Sequence, residues 1–421
     1  MSQKYDLVVA GAGAAGCMAA GTAAKRGLSV ALLERNPRIC RKVMITGKGR
    51  CNVTNNCDNT AFIQAVKGNG RFLYSAINRF SCRDTIEFFE ALGVPLKTER
   101  GNRVFPVSDR SVDIVDALSR YLRDGGVELL SGRCTALQLR DGAICGIKLE
   151  NGNVISTGQV IVATGGMSYP TTGSTGDGYL LAKQAGHTVC PPTPSLIPVI
   201  TNEPWCKDLM GLSLKNVTLT LTNRAGKVLF HELGEMLFTH FGVSGPLVLS
   251  ASCHMDAAHL DDYTLAIDLK PGLSPEQLDA RLLRDFGKNL NRDFLNSLSE
   301  LLPRKLIPVA VQLSGIPGDR KVNQITREQR RALVELLKHL CITPKAFRPI
   351  EEAIVTSGGV SVKEINPKTM ESKLVKGLYF AGEVLDVDAY TGGFNLQIAF
   401  STGVLAGESA KSQTDGGWEN S

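Results

Sequence analysis

"YDLVVAGAGAAGCMAAGTAAKRGLSVALLERN", residues 5–36, reads as a complete strand–turn–helix–strand unit. Leu7 to Ala10 is a short apolar strand and Gly11-Ala12-Gly13-Ala14-Ala15-Gly16 is a GxGxxG turn. Ala14 to Lys25 has helix-favouring composition, Gly27 ends that helix, and Ser29 to Leu33 supplies the second strand. Gly11 permits the tight turn, Gly13 lets backbone approach a pyrophosphate, and Gly16 lets the helix pack closely on the strand. The helix N-terminus then offers free N–H groups and partial positive charge to phosphates. Glu34 closes the second strand 18 residues after Gly16, placed to accept hydrogen bonds from an adenosine ribose. A carboxylate there favours FAD or NAD over a 2′-phosphorylated cofactor.

The chain of 421 residues is long enough for two or three domains, and its 43% hydrophobic and 21% charged content is that of a soluble globular protein. A formal charge of +6 favours anionic ligands such as phosphates or carboxylates and says little about nucleic acid. The eleven cysteines form no CxxC pair and no zinc spacing, which points to reduced thiols in a cytoplasm. Leu7 to Ala24 lacks charge for 18 residues, but four glycines interrupt it, so no membrane segment is expected.

No second GxGxxG occurs. Residues 69–92 and 111–124 show helical spacing. From Val127 to Val162 short β segments turn at Asp141-Gly142 and Asn151-Gly152, a meander ending in the apolar strand Gln159 to Ala163 and then Thr164-Gly165-Gly166. The Pro-rich "CPPTPSLIPVITNEP" (190–204) reads as the boundary of an inserted β-rich and helical part spanning 192–345. It holds a hairpin around Asn223 to Gly226 and helices starting near Ser274-Pro275 and Thr326-Arg327. In the C-terminal part, Leu378 to Ala381 forms a buried strand ending at Gly382-Glu383, and an apolar helix starts at Asn395 after Gly392-Gly393. A helix N-terminus again meets the C-terminal end of a strand, where open α/β sheets bind ligands. The last residues, "SQTDGGWENS", are polar and expected to fray.

The segments "GAGAAG", "RKVMITGKGRCNVTN", "VIVATGG", "LFTHFGVSGP", "TMESK" and "GLYFAGEVLDVDAYTGGFNLQIAFSTG" span nearly the whole chain. Together they resemble the YhiN-type and BaiN-type flavoproteins, also called aminoacetone-oxidase-family FAD-binding enzymes. The resemblance implies an α/β fold: a two-dinucleotide-binding-type, Rossmann-like FAD domain in two parts, 1–191 and 346–410, with the β-rich plus helical insert between them and a tail from 411. It also implies bound FAD and oxidoreductase activity. Carried over, Gly11, Gly13, Ala14, Ala15 and Gly16 meet the pyrophosphate, Glu34 meets the ribose, and Arg35 follows it. Cys134 falls where such folds hold adenine through backbone atoms. Thr164 and Gly165 pack near the cofactor. Gly382, Glu383, Asn395 and Leu396 approach the ribityl chain and flavin ring. Arg41 and Lys42 lie on the pyrophosphate side, and Gly47, Arg50, Cys51 and Asn52 run along the flavin. The 41–55 loop is not a phosphate-cradling Walker loop, because Gly49 stands where that motif needs Ser or Thr.

Cys51 reads either as a redox-active thiol or as a packing neighbour of the flavin, and His240 either as a proton donor or as an ordinary hydrogen-bonded histidine. Tyr390 reads as a proton donor over the flavin or simply as its cover. No clustered ligands suggest a metal. The basic run from Arg320 to Lys338 reads either as a tRNA-phosphate contact or as a solvated helix face, the latter because stacking aromatics are absent. The expected function is FAD-dependent reduction of conjugated C=C bonds of a 3-oxo bile acid or steroid enone, with NAD(P)H as electron donor. Its expected partner is a small hydrophobic molecule rather than a membrane or nucleic acid, with the oligomeric state left open. An oxygen-using amine or aminoketone oxidase and a tRNA-modifying flavoprotein are the alternatives.

Overall fold

The computed structural model describes residues 5–412, so the expected tail lies, from 413 onward, outside the described residues. Five short strands form one parallel sheet: β1 (Leu7–Ala10), β2 (Val30–Glu34), β3 (Glu128–Ser131), β4 (Val160–Val162) and β5 (Leu378–Phe380), in the order β5-β4-β1-β2-β3. The central β1 pairs Val9 with both Leu32 and Ile161, and β4 pairs Ile161 with Tyr379. The inner strands are unbroken apolar runs because both faces of the sheet are covered. Residues 127–130, expected in the meander, instead supply the exposed edge strand β3, with Leu129 beside Leu32. Four residues without alternation carry no signal separating a hairpin arm from a parallel edge. The meander itself consists of Cys134–Arg140, Ala143–Leu149 and Val154–Ser156.

Helix α1 (Ala14–Lys25) begins and ends where its sequence says, as does α2 (Ser111–Asp124). The C-terminal helix α3 (Phe394–Ser409) crosses α1 through small residues. A Cβ on Gly403 would sit 2.4 Å from the Ala15 carbonyl oxygen, and one on Gly407 would sit 2.3 Å from that of Ala19. Both helices are apolar on most of their circumference because each is buried nearly all round.

The chain divides into two compact units, one running through Ser195 and resuming at Ile350, the other Leu196–Pro349. The proline stretch is not simply a linker. Val189–Ser195 pairs antiparallel with Val355–Val360, and the register slips between Cys190 and Thr193, where two consecutive prolines lack N–H donors. The second unit is built on a seven-stranded antiparallel sheet whose hairpin, Ser213–Asn223 with Val228–Phe238, is far longer than its turn suggests. Its helices Pro275–Gly287 and Arg327–Lys338 each start at a capping box, on Ser274 and Thr326.

The basic run on the second of those helices is only partly a solvated face. Arg330 pairs with Asp279 at 2.5 Å, and Lys338 pairs with Asp268 at 2.6 Å while also donating to the carbonyls of Lys270 and Leu273. Both side chains are about nine-tenths covered, whereas Arg327 and Arg331 are exposed. Among the described residues, no helix is long and apolar enough to cross a membrane, and no cluster of His, Cys, Asp or Glu could hold a metal.

Candidate functional site

All five strands run the same way, so their C-terminal ends share one edge; α1 begins there, α3, whose Gly403 packs on Ala15, begins several turns farther out on the same side, and neither start has a side-chain cap. Gly13 is the N-cap of α1 and Gly393 that of α3. Uncapped first-turn N–H groups at two helix starts make a strong donor surface for an anionic, polar ligand. The glycines match that role. Gly11 adopts φ +102°, and a Cβ there would lie 2.7 Å from the Ala163 carbonyl oxygen; a Cβ on Gly16 would lie 1.8 Å from that of Gly11. Gly13 faces open space with nothing within 4 Å, the place where a bound pyrophosphate would need room.

Glu34 at the end of β2 accepts from the Ala12 N–H (3.1 Å) and from the backbone and side-chain nitrogens of Asn36 (2.8 and 2.7 Å). It therefore ties β2 to the glycine turn and keeps spare lone pairs for a ribose. Arg41 donates to the Asn36 side chain (2.8 Å), on the same side. Arg35 turns instead to Asp177 (3.0 Å), which also takes two bonds from Arg133 (2.7 and 2.8 Å). Burial alone would raise the Asp177 pKa, but the hydrogen bonds of Arg133 and Thr175 and the charge of Arg35 hold it below the usual carboxylate range. Cys134 is buried beside this pair, its thiol pushed up to about 11 by burial. Thr164 leaves a buried hydroxyl with no partner just beyond β4, and Gly165 adopts φ +74° next to it.

Lys42 and Glu383, 341 residues apart in sequence, meet in a four-way knot. The Lys42 ammonium lies 2.7 and 3.0 Å from the two Glu383 oxygens and donates to Ser168 Oγ at 2.6 Å. Ser168 in turn donates to Glu383 (3.1 Å), and the Thr356 N–H also reaches that carboxylate (2.9 Å). Gly166 must be glycine in this knot, because a Cβ would meet Thr356 Oγ1 at 2.5 Å and Glu383 Oε1 at 2.9 Å. Gly382, at φ +78°, turns the chain into Glu383.

The 41–55 loop is clasped to the start of α3. With its amide nitrogen toward the carbonyls of Thr54 and Val104, Asn52 accepts from the Gly393 N–H at 2.9 Å. Asn55 donates to the carbonyls of Gly392 (3.0 Å) and Gly101 (3.1 Å), and Thr54 donates to the fully buried Gln397 (2.6 Å). Asn395 uses its side chain to hold Ala389 at both ends (2.9 and 2.7 Å), so only its backbone N–H, with that of half-buried Leu396, is left for a ligand. Gly47 adopts φ +58° and is exposed. Arg50 pairs with Glu99 and Asp109 and lies over the Phe105 ring at 4.2 Å, so its charge is neutralised within the protein.

Cys51 is fully buried at φ +60°, and burial pushes its thiol up to about 12, so it is protonated at neutral pH. Cys57 hydrogen-bonds with Cys82, not with Cys51. Cys51→Ser should therefore leave flavin absorbance per chain unchanged while lowering stability by about 1–3 kcal/mol, the cost of burying a hydroxyl. Loss of turnover with flavin retained would assign the thiol to chemistry. His240 is exposed, edging onto Phe241 at 4.9 Å, and Tyr390 is half-buried with its N–H on the Ala65 carbonyl (3.1 Å).

The sequence offers His187 no clustered acidic partner, but the fold supplies one from far along the chain. The His187 side chain is buried, with Nε2 2.8 Å from Ser372 Oγ and Nδ1 3.0 Å from Glu364. Ser372 Oγ accepts from the N–H groups of Leu374 and Val375, so it donates to Nε2 and leaves Nδ1–H to Glu364. Burial pushes the His187 pKa below its ordinary 6.5 despite Glu364. The unfolded chain binds that proton first as pH falls, so the stabilisation is complete above about pH 6.5 and is lost as pH drops below it. Thermal melts should show Tm falling from pH 7 to 5.5, and His187→Gln should flatten that dependence. An unchanged slope in the variant would remove His187 as its cause.

The fold and this edge define a dinucleotide-binding protein with an inserted antiparallel unit. The model of the HI0933-like protein Rossmann domain matches residues 5–409, and the chain belongs to that family. It is 34% identical over 406 residues, 96% of this chain and 97% of the relative, to a ribosomal RNA dihydrouridine synthase of Haemophilus influenzae. It is 31% identical over 408 residues, 96% of this chain and 98% of the relative, to a 3-dehydro-bile acid delta(4,6)-reductase of Clostridium scindens. Among solved structures it shares its fold with the 3-ketosteroid-delta4-(5alpha)-dehydrogenase of Rhodococcus jostii RHA1, with a TM-score of 0.54 at 16% identity covering 97% of this chain and 96% of that one.

Proposed function

We propose that this protein is an FAD-dependent oxidoreductase that reduces a carbon–carbon double bond conjugated to a carbonyl, with a nicotinamide nucleotide as electron donor. The observation that carries the reading is the pair of uncapped helix starts on the C-terminal side of the sheet, with Gly13 open, Glu34 closing the second strand and the Lys42–Glu383 knot beside β5. FAD, when bound, supplies the hydride. The protein's part is to bind the pyrophosphate at α1, to hold the ribityl chain near Glu383, and to present the α3 N–H groups to negative charge developing on the ring.

The relatives' names support the reaction class. A 3-oxo steroid dienone and the uracil ring of uridine both carry a C=C bond in conjugation with a ring carbonyl. Hydride adds to the β carbon of either and a proton completes the α carbon. Two substrates are therefore in view, a steroid enone and a uridine in ribosomal RNA, the second favoured by a relative of 34% identity along nearly the full chain.

The test is anaerobic reduction of the purified protein's flavin by NADH or NADPH, followed by addition of a 3-oxo-Δ4 steroid or of uridine-containing ribosomal RNA. Rapid reoxidation by a conjugated acceptor is expected. A well-folded preparation without flavin absorbance, or rapid peroxide formation dependent on an amine, would overturn the reading.

A further inference from the structure

The eleven cysteines are all free thiols, and two pairs of them lie in contact. Cys17 and Cys40 place their sulfurs 3.6 Å apart behind the glycine turn, and Cys57 shares a hydrogen bond with Cys82. The pairs differ in access and in charge. Cys17 and Cys40 are sealed, at 0% and 2% exposure, and the contact with Cys40 together with complete burial pushes the Cys17 thiol well up. A buried, protonated thiol is inert toward oxidants. Cys57 is only half-buried, and its buried partner Cys82 is the first residue of the helix Cys82–Ala91, whose start is ordered by the capping box of Ser81 and Asp84. A thiol there stands in the partial positive charge of the first turn. The Cys57 thiol donates to the Cys82 sulfur, and the backbone N–H groups of Asn55 and Cys57 also reach it. The Cys57 bond outweighs burial, so the Cys82 thiol lies below the ordinary cysteine range, whereas burial pushes Cys51, Cys134 and Cys206 above it.

Both segments that carry this pair are tied to one buried side chain of α3. Thr54, three residues before Cys57, donates to Gln397 Oε1 at 2.6 Å. The carbonyl of Phe80, two residues before Cys82, accepts from Gln397 Nε2 at 3.1 Å and from Ser401 at 2.6 Å. Gln397 is fully buried and therefore bridges the two segments in the first turn of α3. Next to Thr54, Asn55 holds the Gly392 carbonyl (3.0 Å), one residue before the cap of α3. The distance between the two cysteine segments thus bears directly on the helix start at the candidate site.

We propose that Cys57 and Cys82 are a redox switch: a hydroperoxide joins them in a disulfide, which fixes the two segments around Gln397 and tightens their clasp on the start of α3. The oxidant is a molecule little larger than water, entering beside half-exposed Cys57. The Cys82 thiolate takes one peroxide oxygen, the O–O bond breaks and the leaving hydroxide departs as water after gaining a proton. The Cys57 sulfur then attacks the sulfenic sulfur, the S–O bond breaks, and a second water leaves with the Cys57 proton. Two thiols are oxidised to one disulfide and the peroxide is reduced to two waters. A low-molecular-weight thiol reverses the change by exchange, becoming a disulfide itself.

The test is exposure of the purified flavin-loaded protein to hydrogen peroxide, with disulfides located by alkylation and peptide mass mapping. A Cys57–Cys82 disulfide is expected. It should raise Tm by about 3–6 °C, since closing a loop of about 25 residues restricts the unfolded chain. Flavin should also leave the diluted protein at least threefold more slowly, and a thiol reductant should reverse both shifts. Cys57→Ser and Cys82→Ala should each abolish them, and Cys17→Ser should keep them. Cys57→Ser changes a half-exposed atom, so the comparison stands even if the buried Cys82→Ala fails to fold. Both thiols surviving peroxide, a disulfide mapped to Cys17 and Cys40 instead, or a Cys57–Cys82 disulfide that leaves Tm and flavin release unchanged would each overturn the proposal. A folded preparation holding no flavin would sink the reductase reading alone, because the mapped disulfide and the Tm still decide the switch.

Discussion

Gly13→Asp should fold at least as well as the unaltered protein and fail to retain its dinucleotide. The backbone at Gly13 is extended, with φ −79° and ψ −171°, and a Cβ there meets nothing within 4 Å, so the substitution is free of strain. Aspartate is also a preferred N-cap residue, and α1 has no side-chain cap of its own, so the apoprotein's Tm should hold or rise. The same carboxylate would stand where a pyrophosphate must come. At an effective dielectric of about 20, two like charges about 4 Å apart repel by about 4 kcal/mol, roughly a thousandfold in affinity. Flavin absorbance and FAD titration by fluorescence would measure this against a thermal melt. The contrast is Gly16→Ala, whose Cβ would fall 1.8 Å from a backbone oxygen and which should lose the fold along with the cofactor. Full FAD retention by Gly13→Asp would move the phosphate site away from α1.

Breaking the Lys42–Glu383 knot should cost more than either side chain is worth alone. Lys42→Met strands a carboxylate that also holds Ser168 and the Thr356 N–H, and Glu383→Gln strands the ammonium. Removing one partner of a fully buried pair costs about 3–5 kcal/mol. Here both side chains keep about a fifth of their surface in water, and screening brings the expectation down to about 2 kcal/mol for each single variant. The double variant should be less destabilised than the sum, with a coupling of about 1 kcal/mol or more in denaturant melts. Glu383→Gln should also weaken FAD binding about tenfold, since a charged acceptor for a ribityl hydroxyl is lost. Strict additivity would mean that the two groups act independently.

The strand–turn–helix–strand unit at the N-terminus was legible because every signal for it is local. The apolar run, the glycine spacing and the terminal acid sit within 30 residues, and their periodicity states the element type. The helices after Ser274 and Thr326 were legible for the same reason, since a capping box is a four-residue pattern. Residues 127–130 and the proline strand 189–195 were not, because short strands take their identity from the partner they pair with, and those partners lie elsewhere in the chain. The basic helix shows the limit for charge. Spacing places Arg330 and Lys338 on one helix, but only packing puts Asp279 and Asp268 against them.

What the sequence by itself determined, then, is the dinucleotide-binding unit, the apolar helix that closes the chain and the glycines at both helix starts, since steric and dipolar demands on a turn are set by neighbouring residues. Only the tertiary structure decided which side chains face one another at the site. Lys42 finds Glu383, Asn52 finds Gly393 and His187 finds Ser372 across 341, 341 and 185 positions, and no local period encodes a partner at such separations.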